Sequence, residues 1–206
     1  MRAHSVATLD ELDRIPVAHG LEWRPLRRRF GVRSFGVNAY TAEKVGNWVV
    51  EGHKEGSGHE ELYLVVRGRA RFTLDGEDVD APAGTVVFLP DPDVSRVAIA
   101  EEEGTTVLAA GGWPDRPFEP SGWEWAFEAY GRVGRGDVQG ALAVMQEWLD
   151  EHADDASALY HLACIECRAG RTDDALLHIR RALELQPGLE ERVREDEDLA
   201  PIRESL

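Results

Sequence analysis

The sequence has few cysteines, few lysines and no long hydrophobic segment. Only Cys164, Cys167, Lys44 and Lys54 represent these two residue types among 206 residues. Two cysteines this close in sequence do not provide the disulfide framework of a small secreted domain. No apolar run approaches the roughly 20 residues of a membrane-spanning helix, and residues 1–14 lack a signal-peptide core. We therefore expect an intracellular, cytoplasmic protein.

Positive charge is also scarce, because 39 acidic residues against 23 basic ones give a net charge of −16. Binding to nucleic acid or to an anionic membrane surface requires clustered positive charge, so neither is expected as a partner. The content of 43% hydrophobic and 30% charged residues is typical of a globular protein. At this length the chain can form one large domain or two small ones.

Short strand-like segments separated by glycine and proline follow one another between residues 20 and 112. Asp75-Gly76 is a strong hairpin-turn signal, and Pro82-Ala83-Gly84 indicates a second turn. Residues 23–30 are also compatible with a strand. An arginine cluster here would form the solvated face of an edge strand, or alternatively hold an anionic ligand or dock against the acidic half: Arg24, Arg27, Arg28, Arg29 and Arg33. Seven or eight such segments predict an antiparallel sandwich or barrel.

The segment of residues 52–72 carries the main concentration of polar side chains. His53, Glu55, Ser57, His59 and Glu61 occupy alternate positions. In an extended chain all five would point to the same face, because successive side chains of a strand alternate. Two imidazoles and two carboxylates on one face are typical of a metal or ligand site, and equally of a polar hairpin end.

Two motifs in this region resemble those of the cupin superfamily of jelly-roll barrels. Glu61 followed after six residues by Gly68 matches the end of the first cupin motif, and Pro82-x-Gly84 before an apolar strand matches the second. The resemblance covers about residues 20–112 and implies an N-terminal all-β barrel. It also implies a homodimer, because cupin barrels commonly pair.

The resemblance implies a divalent metal, held in cupins by two histidines and a glutamate of the first motif and one histidine of the second. Here Val87 occupies the second-motif position, and the candidates are the histidines and carboxylates His53, Glu55, His59 and Glu61. They would bind iron, manganese or zinc, since two histidines and a carboxylate suit non-haem iron. The alternative is that these groups are solvated and bind no metal.

A cupin barrel also implies a small-ligand cavity. Tyr63 and Val65 share the parity of Glu61, and Val87 falls at an expected inward position. Trp48 and Tyr40 are further candidates for the cavity lining. The alternative for each of them is simple core packing.

The C-terminal half has helical periodicity and an internal repeat. A shift of 34 residues superposes these pairs: Trp125 on Leu159, Ala129 on Ala163, Gly136 on Gly170, Ala141 on Ala175, Met145 on Ile179 and Leu149 on Leu183. The pattern resembles the tetratricopeptide (TPR) repeat. Gly136 and Gly170 are suited to end the first helix of each pair, and residues 189–206 resemble a capping helix that Pro201 would break.

These patterns predict a multidomain protein with an all-β cupin barrel and all-α TPR helical hairpins. The predicted divisions are residues 1–112, a proline-rich linker at 113–121, and residues 122–206. The favoured function is a non-enzymatic small-ligand-binding or regulatory module with a TPR domain that contacts a protein partner. The alternatives are a metal-dependent dioxygenase, isomerase or lyase, and a scaffold that binds nothing.

Overall fold

The computed structural model describes residues 4–17, 20–55 and 58–206. The chain divides into two compact units, Met1–Pro120 and Ser121–Leu206. Within the described residues, no helix has both the length and the apolar character needed to cross a membrane.

The N-terminal unit consists mainly of short antiparallel strands. In the described part of the chain they are β1 (Ile15–Pro16), β2 (Leu21–Arg24), β3 (Gly36–Ala42), β4 (Trp48–His53), β5 (Glu60–Arg67), β6 (Arg69–Leu74), β7 (Glu77–Pro82), β8 (Val86–Leu89), β9 (Arg96–Ala100) and β10 (Thr106–Gly112). A 3₁₀ helix at Leu9–Glu11 and a short helix α1 (Leu26–Phe30) complete the unit.

The strands form two sheets that share one core. The larger sheet has the order β1-β2-β3-β10-β5-β8, and the smaller sheet has the order β4-β9-β6-β7. Inward side chains of both sheets form one buried cluster, which includes Val65, Phe72, Ala98 and Val107 with no exposed surface. The N-terminal half is thus an antiparallel β-sandwich, as its strand pattern predicts.

Local sequence determines several turns of the sandwich. Asp75 and Gly76 both adopt positive φ angles, 48° and 88°, and they connect β6 to β7 as the Asp-Gly pair predicts. At Gly68, between β5 and β6, φ is 72°, and an added Cβ would lie 2.5 Å from Thr105 Oγ1. The glycine of the first motif is therefore required by both backbone conformation and space.

The prediction of a strand through residues 23–30 is wrong beyond Arg24. Pro25 interrupts the strand, α1 follows, and Gly31 ends that helix with a left-handed φ of 64°. Arg24 is buried rather than solvated, because its Nε donates to Thr41 Oγ1 at 3.1 Å and its Nη1 to the Leu9 carbonyl oxygen at 2.8 Å.

The C-terminal unit is helical. Its helices are α2 (Trp123–Gly134), α3 (Val138–Leu149), α4 (Ala156–Arg168), α5 (Thr172–Leu185) and α6 (Glu190–Glu195), followed by a 3₁₀ helix at Glu197–Ser205. Gly136 and Gly170, with φ of 82° and 75°, follow α2 and α4. The predicted capping helix is interrupted at Asp196, before Pro201, where the Asp196 side chain accepts a hydrogen bond from the Asp198 backbone.

Candidate ligand-binding site between the sheets

Glu61 occupies the interior side of β5, near the edge of the sandwich core. It lies on the same side of the strand as Tyr63 and Val65, and its side chain is 16% exposed. Gly111 of β10 is its cross-strand neighbour. A Cβ at Gly111 would lie 3.3 Å from Glu61 Cγ and 2.8 Å from the Glu60 carbonyl oxygen, so the glycine provides the space for this carboxylate.

Three side chains from both sheets converge on one oxygen of Glu61. The Tyr63 hydroxyl donates to Glu61 Oε2 at 2.5 Å. The Nε of Arg96 on β9 lies 3.5 Å from that oxygen, and the Nε2 of His53 on β4 lies 3.8 Å from it. Burial and the adjacent Glu61 carboxylate raise the pKa of Tyr63, so the phenol remains a hydrogen-bond donor.

Arg96 is the most unusual residue of the site because its charged side chain is completely buried. Its Nη1 donates to the Pro92 carbonyl oxygen at 3.5 Å. Among the described residues its Nε and Nη2 have no hydrogen-bond partner. A buried charge with unpartnered donors destabilises a fold, so its presence points to a role in binding.

Arg96 is not among the site residues that the sequence patterns predict. A signal was present, because Arg96 alternates with Ala98 and Ala100 on the side of β9 that is fully buried. A basic residue on the inward parity of an apolar strand predicts a buried charge.

Three of the four proposed metal ligands lie close together. Ligand atoms of His53, Glu55 and Glu61 are all within 4.8 Å of one another. His53 Nδ1 lies 2.7 Å from the Glu51 carbonyl oxygen, which can only accept, so we assign the ring proton to Nδ1 and a lone pair to Nε2. One imidazole and two carboxylates form a donor set that suits manganese or iron.

His59, the fourth proposed ligand, is not a member of this group, although the charges of Glu55 and Glu61 act on its ring. Its ring packs edge-on against Trp113 at a centroid distance of 3.9 Å and lies 5.8 Å from the ring of Phe118. Burial lowers the pKa of His59, which favours the neutral ring in this aromatic environment.

The expected single face of alternating residues is not formed. β4 ends at His53 and β5 begins at Glu60, so the segment between them is not one continuous strand. The alternation of side chains therefore does not extend across it. Ser57 lies outside the described residues.

The proposed ligand-lining residues divide between the two faces of the sheets. Tyr63, Val65 and Val87 are buried in the core, and Val87 lies directly opposite Tyr63. Tyr40 is paired with Val107 on the inward side of the larger sheet. Trp48 is paired with Ile99, on the opposite side of the smaller sheet from Ala98 and Ala100.

A second group of potential metal ligands occurs in the helical unit. The ligand atoms of Cys164, Asp196 and Asp198 also lie within 4.8 Å of one another. However, Tyr160 donates to Asp196, and Arg168 Nη2 donates to Asp198 at 2.7 Å. Burial raises the pKa of Cys164 to about 12, so this thiol stays protonated. The group is an internal hydrogen-bond network that connects α4 to the C-terminal segment.

No protein-family model matches the chain, and no curated protein matches it. The structure is similar to an RmlC-like cupin from Shewanella frigidimarina, at 16% identity and a TM-score of 0.42 over 55% of this chain and 95% of that one. It is similar to KdgF from Halomonas sp. at 19% identity and a TM-score of 0.42, over 55% and 96% of the two chains.

A third similar structure is Pac13 from Streptomyces, described as a nucleoside dehydratase. Its identity is 20% and its TM-score 0.39, over 53% of this chain and 82% of that chain. Of the three descriptions, the first names a cupin. At these identities and scores the likeness carries no inference about what this chain binds.

Proposed function

We propose that the β-sandwich is a non-enzymatic module that binds a small polar ligand at Glu61, Tyr63, His53 and Arg96. The observation that carries this proposal is the completely buried guanidinium with two unpartnered nitrogens. A few polar groups that converge within a mostly apolar interior are typical of small-molecule sites.

The same guanidinium argues against a resident divalent ion. Arg96 Nε lies 3.5 Å from the Glu61 oxygen that the metal would share. At an effective dielectric constant of about 20, a dication about 5 Å from a guanidinium is repelled by roughly 6–7 kcal/mol. Val87 adds no ligand from β8, since it is apolar and pairs with Tyr63.

A metal-dependent enzyme is the second candidate, favoured by the grouping of His53, Glu55 and Glu61. When bound, the metal would supply Lewis-acid or redox chemistry at these three residues. His53 would contribute its Nε2, oriented by the contact of Nδ1 with the Glu51 carbonyl oxygen. Tyr63 would hold the Glu61 carboxylate through its hydroxyl.

Metal analysis after incubation with manganese, iron or zinc separates the two candidates. We expect no stoichiometric metal in the wild-type protein, and no difference in the His53→Ala variant. His59→Ala is the matched control, because its ring packs against Trp113 and is not one of the three grouped ligands. Stoichiometric metal that is lost in His53→Ala and kept in His59→Ala would overturn the proposal in favour of the enzyme.

For the helical unit we propose a TPR-like protein-interaction domain. Support comes from the starts of α3 at Val138 and α5 at Thr172, which repeat at a shift of 34 residues. Small residues lie completely buried among the helices, including Ala129, Ala141, Ala163 and Ala175, as close helix packing requires.

This role is tested by affinity capture with the full chain, followed by a binding measurement with the purified partner. Hydrogen exchange of the complex should show new protection in residues 122–206. Protection confined to residues 1–112 would contradict the proposed interaction domain.

We also propose a homodimer through the larger sheet. In the described sheet β8 is an edge strand, and its outward residues Val86 and Phe88 are 55% and 53% exposed, beside exposed Leu62 and Val66 of β5. Packing of the outer faces of two such sheets against each other would cover these apolar side chains. Light scattering should give twice the chain mass of 22.9 kDa, and Phe88→Lys should yield monomers. A wild-type mass near that of one chain would contradict the dimer.

A further inference from the structure

The two unpartnered nitrogens of Arg96 belong to one edge of its guanidinium group. Nε and Nη2 point the same way, and this edge forms paired hydrogen bonds with planar or tetrahedral oxyanions. The third nitrogen, Nη1, is directed to the Pro92 carbonyl oxygen. This bond is long at 3.5 Å, and the two-donor edge has no hydrogen-bond partner among the described residues.

Glu61 does not satisfy this edge. Its Oε2 lies 3.5 Å from Arg96 Nε, beyond a good charge-assisted hydrogen bond, and accepts instead from Tyr63 at 2.5 Å. The two side chains attract each other through charge, but neither Nε nor Nη2 is bonded.

Two side chains next to Arg96 reach solvent. Glu61 is 16% exposed and His53 is 37% exposed, and both His53 Nε2 and Arg96 Nε lie within 4 Å of Glu61 Oε2. The buried guanidinium is therefore only one side chain away from groups that contact solvent.

We propose that the ligand of this site carries an oxyanion, a carboxylate or a phosphate, which the Nε and Nη2 edge of Arg96 binds through two parallel hydrogen bonds. This inference rests on the proposed ligand-binding function of the same site. The oxyanion satisfies both buried donors at once and neutralises the guanidinium charge.

The neighbouring carboxylates add a second requirement. Glu61 and Glu55 repel a ligand that is only anionic, so the ligand also carries a hydrogen-bond donor that Glu61 accepts. A small hydroxy acid, or a phosphate monoester that also carries a free hydroxyl group, has both features. A divalent cation is instead attracted to the carboxylates and repelled by Arg96. Binding of an anionic ligand would therefore support this inference, whereas binding of a divalent cation would support a metal site.

The test uses lactate, its neutral isostere lactamide, and inorganic phosphate as probes on the full chain. Calorimetry gives the affinity, and the ¹⁵N resonance of Arg96 Nε in the wild-type protein reports contact directly. We expect lactate or phosphate to bind at least about tenfold more tightly than lactamide, a difference of about 1.4 kcal/mol, and to shift the Nε resonance. Preference for lactate or for phosphate distinguishes a carboxylate from a phosphate ligand.

Variants assign the effect to the guanidinium edge. Arg96→Gln should weaken binding of the anionic probe by at least about tenfold. Arg96→Lys should fall between Arg96→Gln and wild type, because lysine retains the charge but lacks the two-donor edge. Arg71→Gln is the matched control, since Arg71 is 45% exposed on β6 and pairs with Glu101 instead.

The outcomes separate this inference from the function on which it rests. Binding of lactamide without binding of the anions, or an Arg96 Nε resonance that no anion shifts, would overturn the oxyanion inference alone. If no probe of any charge binds, the proposed ligand-binding function fails as well. The wild-type resonance keeps the test decisive even if an Arg96 variant does not fold.

Discussion

Each unit of the protein has an ion pair with one buried member, and the Glu61–Arg96 and Glu166–His178 pairs differ in how the buried charge is satisfied. In the helical unit the Glu166 side chain is 2% exposed and accepts from His178 Nδ1 at 2.7 Å, with Arg171 Nη2 at 3.6 Å. Both of these cationic partners keep contact with solvent. In the sandwich the cation is the buried member, and Arg96 retains two unpartnered donors. A buried charged group whose hydrogen bonds are all satisfied stabilises a fold. A buried cation with two donors that have no partner is suited to binding a ligand.

The largest effect should come from removing the counter-charge in the sandwich. Glu61→Gln leaves the guanidinium of Arg96 buried without its anionic neighbour, and breaking a buried ion pair costs about 3–5 kcal/mol. Urea unfolding should show this loss in the free energy of unfolding. Glu60→Gln on the other side of β5 is the control, and the double variant Glu61→Gln with Arg96→Met should recover much of the loss. A loss no larger than that of the control would remove the distinction between the two units.

The next largest loss of stability is expected when the space beside the Glu61 carboxylate is filled. Gly111→Ala places a Cβ 2.8 Å from the Glu60 carbonyl oxygen and 3.3 Å from Glu61 Cγ. Overpacking of this kind costs about 2 kcal/mol. Gly112→Ala is the matched control, because nothing lies within 4 Å of its added Cβ. Thermal unfolding of both variants checks the prediction, and equal melting temperatures would contradict it.

A smaller loss is expected from the partnered carboxylate in the helices. Glu166→Gln weakens a charge-assisted hydrogen bond to a histidine that reaches solvent, for which about 1–2 kcal/mol is expected. Urea unfolding followed by far-ultraviolet circular dichroism measures it. A loss larger than that of Glu61→Gln would reverse the proposed contrast.

The smallest effect is a pH dependence of the helical unit. The hydrogen bond to Glu166 raises the pKa of His178 above its ordinary value of about 6.5. Its stabilisation is fully present below pH 6.5 and is lost as pH rises through the raised folded-state pKa. The slope of unfolding free energy against pH above 6.5 should be negative, and His178→Gln should remove this contribution. A slope unchanged in His178→Gln would contradict the assignment.

His161 should act in the opposite direction on the acidic side. Burial lowers the pKa of His161 to about 4, so the folded state holds this ring neutral. Its contribution to stability is lost as pH falls from about 6.5 to 4, because the unfolded chain takes up the proton first. Histidine ring proton resonances should titrate separately for His161 and His178, and a His161 midpoint near 6.5 would contradict the prediction.

Local sequence patterns were sufficient to predict much of the sandwich. The parity of Glu61, Tyr63 and Val65 on β5 was predictable because alternation holds within one strand. In the structure the three side chains lie on one side of β5, with Tyr63 and Val65 buried in the core. The prediction that side chains alternate from His53 to His59 was wrong. Strand β4 ends at His53, and side chains alternate regularly only within a strand.

The essential partner of Glu61 was harder to predict because it comes from the other sheet. Arg96 is 35 positions away in the sequence, and only the packing of two sheets brings it to the Glu61 carboxylate. Strand parity can indicate that Arg96 points inward, but not which residue it meets. The helical half was easier, because Gly136 and Gly170 act on the turns next to them.

The position of β10 also has a consequence for how the chain reaches its fold. This last strand of the sandwich lies between β3 and β5, and it pairs Gly36 with Gly111. The larger sheet therefore lacks its connecting strand until residues 106–112 have left the ribosome. Pairings of such long sequence separation slow folding, whereas the helical unit gains mostly local contacts. We expect the sandwich to fold last, although it is synthesised first.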